Sequence, residues 1–451
     1  MPKTFARASG ALAAMVALCS LLSCSLLLNF DDCITDADCL MAGKCMAGVC
    51  QDAERVKVTD HIAVDTTWTA DKVYLLENLI MVVAPATLTI EAGTTVLGQR
   101  NTGLVSLAGA KLMAIGTRDK PIVFTSAKTP GQRLAGDWAG IGMVGRARVN
   151  RQNFNLRIIT DVHDTRVGGS DDSSNCGTLR YVRIEFGGSE VDGQKALKGL
   201  TLAGCGNKTK IEYVQTHLSD DDGVGVFGGT VDLRYIVSTR ARDDAFDFDT
   251  GWRGTAQFLA IQQDVIGVEA IEVENLAEDP AALPQTDARI YNYTMIGANR
   301  DGDRQIGLFV KLGGLGVFSH GIITGYKTAA LVIDGVESTA HAAKGDIGVH
   351  NTLFFNNGAT GTEHFAFIPD NSFDNYAYFE QAQFNNVFGK DPGFNKPYDL
   401  TNPGWVPASA HTTGREIVPP PEGFDPTAVY RGAFSPSATP WTEGWTSYPL
   451  N

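Results

Sequence analysis

Nothing in these 451 residues sustains a helical period, and the apolar runs are too short for the crossover helices of a βαβ sheet. Net positive charge is missing too: 37 Lys and Arg stand against 51 Asp and Glu, a formal −14. Nucleic-acid binding needs a basic face, so that partner class is excluded. Gly-Gly pairs occur at Gly187, Gly228 and Gly313, but they are turn residues and none forms a phosphate loop. What remains is 43% hydrophobic and 20% charged, ordinary for a folded chain, with 49 glycines where the backbone must turn often.

Export is written at the N-terminus. Lys3 and Arg7 precede an apolar stretch over residues 11–22 that is too short to span a membrane. It ends in Leu21-Leu22-Ser23-Cys24, similar to the lipobox of bacterial lipoproteins, where cleavage precedes the cysteine and the cysteine carries the lipid. That resemblance makes residues 1–23 a signal peptide, Cys24 the lipidation site and the membrane a partner through its lipid. It places the chain outside the cytoplasm, on the outer membrane or the cell surface. Of the eight cysteines, Cys19 leaves with the signal, and six remain after Cys24. Cys33, Cys39, Cys45 and Cys50 fall in a short cysteine-rich module within residues 24–55. Their spacings are wider than Cys-x-x-Cys, which together with export favours disulfides over zinc. Cys176 and Cys205 are the remaining candidates for a bridge.

From residue 56 to about 385 the chain consists of three- to five-residue β-rich runs broken by Gly, Asn and Asp. Leu88 in Ala86-Thr-Leu-Thr-Ile-Glu-Ala-Gly-Thr corresponds to Leu112 in Ala110-Lys-Leu-Met-Ala-Ile-Gly-Thr. Three later segments align on tyrosine, at Tyr181, Tyr213 and Tyr235, and a fourth is aligned on Tyr293. Short strands would also suit an antiparallel sandwich. A repeat of this length favours a right-handed parallel β-helix, an all-β solenoid whose coils stack on one another. The acidic, proline-containing stretch from Glu269 to Thr286 reads as a loop leaving the coil. Residues 386–451 are rich in proline and aromatics, and are expected to cover the open end as a cap.

Several of these motifs resemble bacterial surface β-helix repeat lipoproteins. The likeness rests on Thr87-Leu-Thr-Ile-Glu-Ala-Gly-Thr, Pro121-Ile-Val-Phe-Thr-Ser, Gly177-Thr-Leu-Arg-Tyr-Val-Arg-Ile-Glu-Phe-Gly-Gly and Asp221-Asp-Gly-Val-Gly-Val-Phe-Gly-Gly. Where such relatives carry Phe-Glu-Trp after Asp-Asp-Gly, this chain has Val224, Gly225 and Val226. The resemblance implies a surface-anchored β-helix and no defined catalytic activity.

The chemistry-bearing residues lie in the tyrosine repeats. Eight and nine residues past the tyrosine come Asp221-Asp222 in one repeat and Asp243-Asp244 in the next, and Asp301 follows Tyr293 by eight. Coils about 4.8 Å apart would stack Asp221 on Asp243 and Asp222 on Asp244. Asp247 and Asp249 alternate with phenylalanines and so share the outward face. Six carboxylates on one surface suit Ca²⁺, which takes oxygen ligands. Two other readings stay open: solvated acidic turns, and a polysaccharide lyase or hydrolase using Asp221, Asp222, Asp243 and Asp244 with His217, Arg240 and Arg242 nearby. Ser319-His320-Gly321 faintly echoes a histidine motif of pectin-degrading β-helices. Trp138, Trp252, Trp405, Trp441 and Trp445 could stack on sugars or pack at loops and caps. The reading favoured is a non-enzymatic surface protein, stabilised by Ca²⁺, that meets a polysaccharide or a surface protein. Docking to an outer-membrane receptor is a further alternative.

Overall fold

The computed structural model describes residues 44–46, 49–51 and 53–451, apart from 157–163, 192, 194–196, 301–304, 366–372 and 415. Cys24, Cys33, Cys39 and Asp301 lie outside the described residues. The chain divides after Ala53. In the first unit Lys44–Met46 pairs with Val49–Gln51 antiparallel, with Cys45 opposite Cys50. No described helix is long and apolar enough to cross a membrane.

The second unit is a parallel β-helix. One sheet holds 17 strands and another nine, from Leu79–Val82 to Ala329–Ile333. Leu112 pairs with Leu88, so the repeat seen in the chain is one coil of the solenoid. Inside, apolar residues fall into ladders because strand neighbours one coil apart face the same way. Ile90, Ala114, Leu179, Ile211, Leu233, Ala256, Ile290 and Phe318 form such a ladder, and all are buried. Another runs through Leu104, Ile141, Leu200, Val224, Phe246, Ile271 and Leu308.

The tyrosines mark a corner. Tyr181, Tyr213, Tyr235 and Phe258 all have left-handed backbone, with φ of 49°, 54°, 59° and 64°. That conformation costs a bulky residue roughly 1–2 kcal/mol. Stacking offsets much of it: successive rings are 4.6, 4.5 and 4.6 Å apart and nearly parallel. Each such pair contributes about 0.5–1.5 kcal/mol beyond its burial. The column continues through Asn292, His320, Asn351 and Asn385, all left-handed. Tyr293 is therefore not a member of the tyrosine column. It pairs with Leu259, one place on, and points fully buried into the core, where its hydroxyl meets Thr352 Oγ1 at 2.8 Å. Asn takes the corner there because its short side chain tolerates that backbone.

Residues beyond Phe388 form no further strand among those described. Aromatics Phe354, Phe365, Phe379, Phe384 and Phe388 cluster at the last coil, while the final segment lies lengthwise over the corner column. Its backbone pairs with side chains from four coils along the column: Ser447 with Gln215, Asp425 with Gln257, Tyr430 with Asn292 and Val418 with His320. Polar groups that would otherwise be buried unpaired fix this path.

Cys176 and Cys205 form a disulfide closing a separation of 29 residues. A loop of that length contributes about 3–4 kcal/mol through the unfolded state. The double variant Cys176→Ser/Cys205→Ser should lose that amount in urea unfolding, and an unchanged midpoint would show the bridge to be dispensable.

Candidate functional site

The nine-stranded sheet carries an acidic patch on its outer face. Its register stacks Gly225, Asp247 and Glu272 in one outward column. Phe246 and Phe248, on either side of Asp247, point into the core. Just before these strands, a second column forms at the turn: Asp222 Oδ1 accepts from Asp244 N at 3.2 Å, and Asp244 Oδ1 accepts from Glu269 N at 2.8 Å. Side chains thus cap the backbone of the next coil, which holds each carboxylate beside its neighbour.

Carboxylate oxygens of Asp221, Asp222 and Asp243 lie within 4.8 Å of one another, and those of Asp244, Glu269 and Glu272 form a similar group. Two lysines flank them. Lys198 Nζ is 2.7 Å from both Asp221 Oδ1 and Asp222 Oδ2. Lys311 Nζ is 2.7 Å from Glu272 Oε1 and 3.3 Å from Glu274 Oε2. Between the lysines is an open cleft of about 290 Å³, lined by Asp222, Asp243, Asp244, Asp247, Glu269 and Glu272. Asp249 is half-buried and bonds the backbone N–H of Thr250.

Lys198 reaches its partners because Gly225 leaves room. A Cβ on residue 225 would come 2.9 Å from Lys198 Cγ and 2.8 Å from Phe227 Cε2. The missing side chain at this place is the space that the lysine stem fills.

Burial dominates the electrostatics. It pushes the Asp222 carboxyl up to about 6, against the pull of Lys198 and with a further push from Asp221. Glu272 is pushed up to about 7 by burial, opposed by Lys311. Asp244, Asp247 and Asp249 are raised well above the usual carboxylate range, again chiefly by burial and then by neighbouring acids. Burial would lower Lys198, but Asp222, Asp221 and Asp247 outweigh it and hold the ammonium charged. Asp247 Oδ1 is buried with no hydrogen-bond partner among the described residues. Such a cluster must hold protons or a cation.

All six predicted aspartates are on this flank, and sequence reasoning missed Lys198, Lys311, Glu269, Glu272 and Glu274. Glu269–Val273 is a strand of the nine-stranded sheet, not part of a loop; the loop begins after it. The alternation Glu-Ala-Ile-Glu-Val was the available signal, since it buries Ile271 and Val273 and turns Glu272 outward.

None of the other residues singled out lines this cleft. His217 is buried and held by Thr239 Oγ1 at 2.7 Å and the Pro449 carbonyl at 2.8 Å. Arg240 pairs with Asp264 and Arg242 with Asp220. His320 occupies a left-handed corner and bonds the Val418 carbonyl at 2.7 Å. Trp138, Trp252, Trp405 and Trp445 are buried, and Trp441 is partly buried against Phe434. None of the four buried indoles offers a face to a sugar.

Comparison with known proteins gives one family. A model described as a pectate-lyase-like beta helix domain matches residues 60–398. No curated protein and no solved structure shows a significant match.

Proposed function

The chain belongs to the pectate-lyase-like beta helix domain family, and on that scaffold we propose an exported, lipid-anchored binding protein whose acidic flank takes a divalent cation. The observation that carries the reading is the pair of carboxylate groups, Asp221/Asp222/Asp243 and Asp244/Glu269/Glu272, set beside one cleft. The donors are all oxygens, which suits Ca²⁺ over softer metals. Asp247 supplies further oxygens from the sheet face, and Asp249 adds charge. The cleft, at about 290 Å³, is just under the usual size of small-molecule sites and suits an ion with its bound waters. A loaded flank would be presented to a polysaccharide or to a surface protein. The anchor is Cys24, with the rest of the chain on the outer membrane or the cell surface.

The test of the role is to mix the full chain with a panel of polysaccharides, with and without Ca²⁺, and follow polymer length by size-exclusion chromatography. Co-elution at unchanged length supports binding, whereas shortened polymer would overturn it in favour of a lyase or hydrolase. Cys24→Ser should move the protein from the membrane fraction to the soluble one; persistence in the membrane would refute the anchor.

Cation binding should also be linked to protons. Below the raised values of about 6 for Asp222 and about 7 for Glu272, Ca²⁺ must displace bound protons. Calorimetry should therefore show affinity rising by about tenfold or more from pH 5.5 to 7.5, with protons released on binding. Asp244→Asn should weaken it by at least about tenfold at pH 7.5. A pH-independent affinity would argue that the ion sits elsewhere.

A further inference from the structure

Away from the acidic flank, a pocket of about 420 Å³ has the opposite character. Nine large hydrophobic side chains are exposed among the described residues, and three of them, Leu134 at 63%, Ile266 at 44% and Leu450 at 56%, line this one cavity. They come from distant parts of the chain. Scattered exposed hydrophobics need no explanation, but convergence on a concavity marks a binding surface.

Three guanidiniums share the lining, those of Arg133, Arg240 and Arg242, against the single carboxylate of Asp264. This positive character runs against the acidic balance of the whole chain. Asp264 is already engaged, with Arg240 at 3.1 Å and Arg300 at 3.6 Å. Arg240 has Nε and Nη1 buried without hydrogen-bond partners among the described residues. Arg133 is half-buried and lies over the Phe186 ring at 5.9 Å. Arg242 pairs with Asp220 at 2.7 Å across an exposed contact, a kind of pair that contributes little and is readily exchanged. Three arginines beside apolar walls, with donors of Arg240 left over after its pairing with Asp264, attract an anion carrying its own apolar body.

We infer that this pocket binds an amphipathic organic anion, an aliphatic chain with one terminal carboxylate. The apolar chain lies against Leu134, Ile266 and Leu450, and the carboxylate faces the arginines. The volume falls within the range of small-ligand sites, and the mix of apolar walls with few charged groups matches their usual lining.

The experiment is calorimetric titration of the full chain with sodium octanoate, with octylamine, acetate and hexanoate in parallel. Octanoate should bind, hexanoate about tenfold more weakly, and octylamine and acetate at least about tenfold more weakly than octanoate. Leu134→Asp places a like charge on the apolar wall and should abolish octanoate binding. Ile266→Asp should do the same, and serves as the second variant if the first does not fold. Arg242→Glu should narrow the preference for octanoate over octylamine. No octanoate binding, equal binding of octylamine, or unchanged binding in both aspartate variants would overturn the inference.

Discussion

Lys198→Met should destabilise the protein by about 3–5 kcal/mol at pH 8 and by much less at pH 5. The ammonium is about one-fifth exposed and bridges Asp221 and Asp222, each almost fully buried. Taking one partner from a buried ion pair leaves the other charge without compensation, and that penalty exceeds the worth of the pair itself. The pH dependence follows from Asp222. Its carboxyl stands near 6 with the lysine present, and it rises further once the lysine is gone. In the unfolded chain it ionises near 3.9, so above about pH 4 the folded state holds the extra proton. Stability therefore falls as pH climbs from about 4 through the folded value, and the variant has the higher folded value and the deeper fall. Urea unfolding at the two pH values measures this directly. Equal losses at both would mean that packing of the lysine stem, and not its charge, is what matters.

Gly225 belongs to the same argument. Resembling lipoproteins place a glutamate here, where this chain has no side chain and the lysine stem passes within van der Waals reach. A side chain at 225 and Lys198 in its present position exclude one another. In this chain the space at residue 225 is taken by the stem of an internal cation. Restoring glutamate would displace the lysine and add another acid to a cluster whose members already resist ionisation.

What could be read in the chain and what could not divides along one physical line. Stacking is written in sequence because each coil repeats the same inward and outward choices. Leu88 and Leu112 pair as the repeat requires, and Tyr181, Tyr213 and Tyr235 share a column. Aspartates placed alike after those tyrosines then meet in space. The coils are uneven in length, however, so register is lost wherever a turn changes. Tyr293 illustrates this: Asn292 takes the left-handed corner and shifts the tyrosine into the core. Lys198 and Lys311 carry no periodic signature, and they reach the acids only because the turns before and after particular strands deliver them. The final segment was opaque for another reason. It is held by its own backbone groups, paired with Gln215, Gln257 and Asn292, and no side-chain pattern within it announces those partners.

Trp445→Ala should detach the end of that segment and cost about 3–5 kcal/mol, the loss expected for truncating a buried tryptophan. Trp445 is 1% exposed and sets its ring edge-on against Tyr181 and Tyr213, at 5.8 and 6.3 Å between centroids. Just beyond it, Ser447 exchanges two hydrogen bonds with the Gln215 amide, and Pro449 places its carbonyl on His217. That carbonyl can only accept, so Nε2 of His217 carries the proton and Nδ1 accepts from the Thr239 hydroxyl. Burial lowers this histidine to about 4, so it is neutral and matched to both partners. Its linkage has the opposite sign to that of the acids. Between about 4 and 6.5 the unfolded chain binds the proton that folded His217 refuses, so this contribution, about 3 kcal/mol, is lost as pH falls. Release of the segment would let His217 titrate near its ordinary value. Limited proteolysis should then cut the variant after residue 440 while the far-ultraviolet spectrum of the β-helix persists, and proton NMR should show a histidine ionising near 6.5. Global unfolding without selective cleavage would show instead that the segment and the solenoid fold as one cooperative unit.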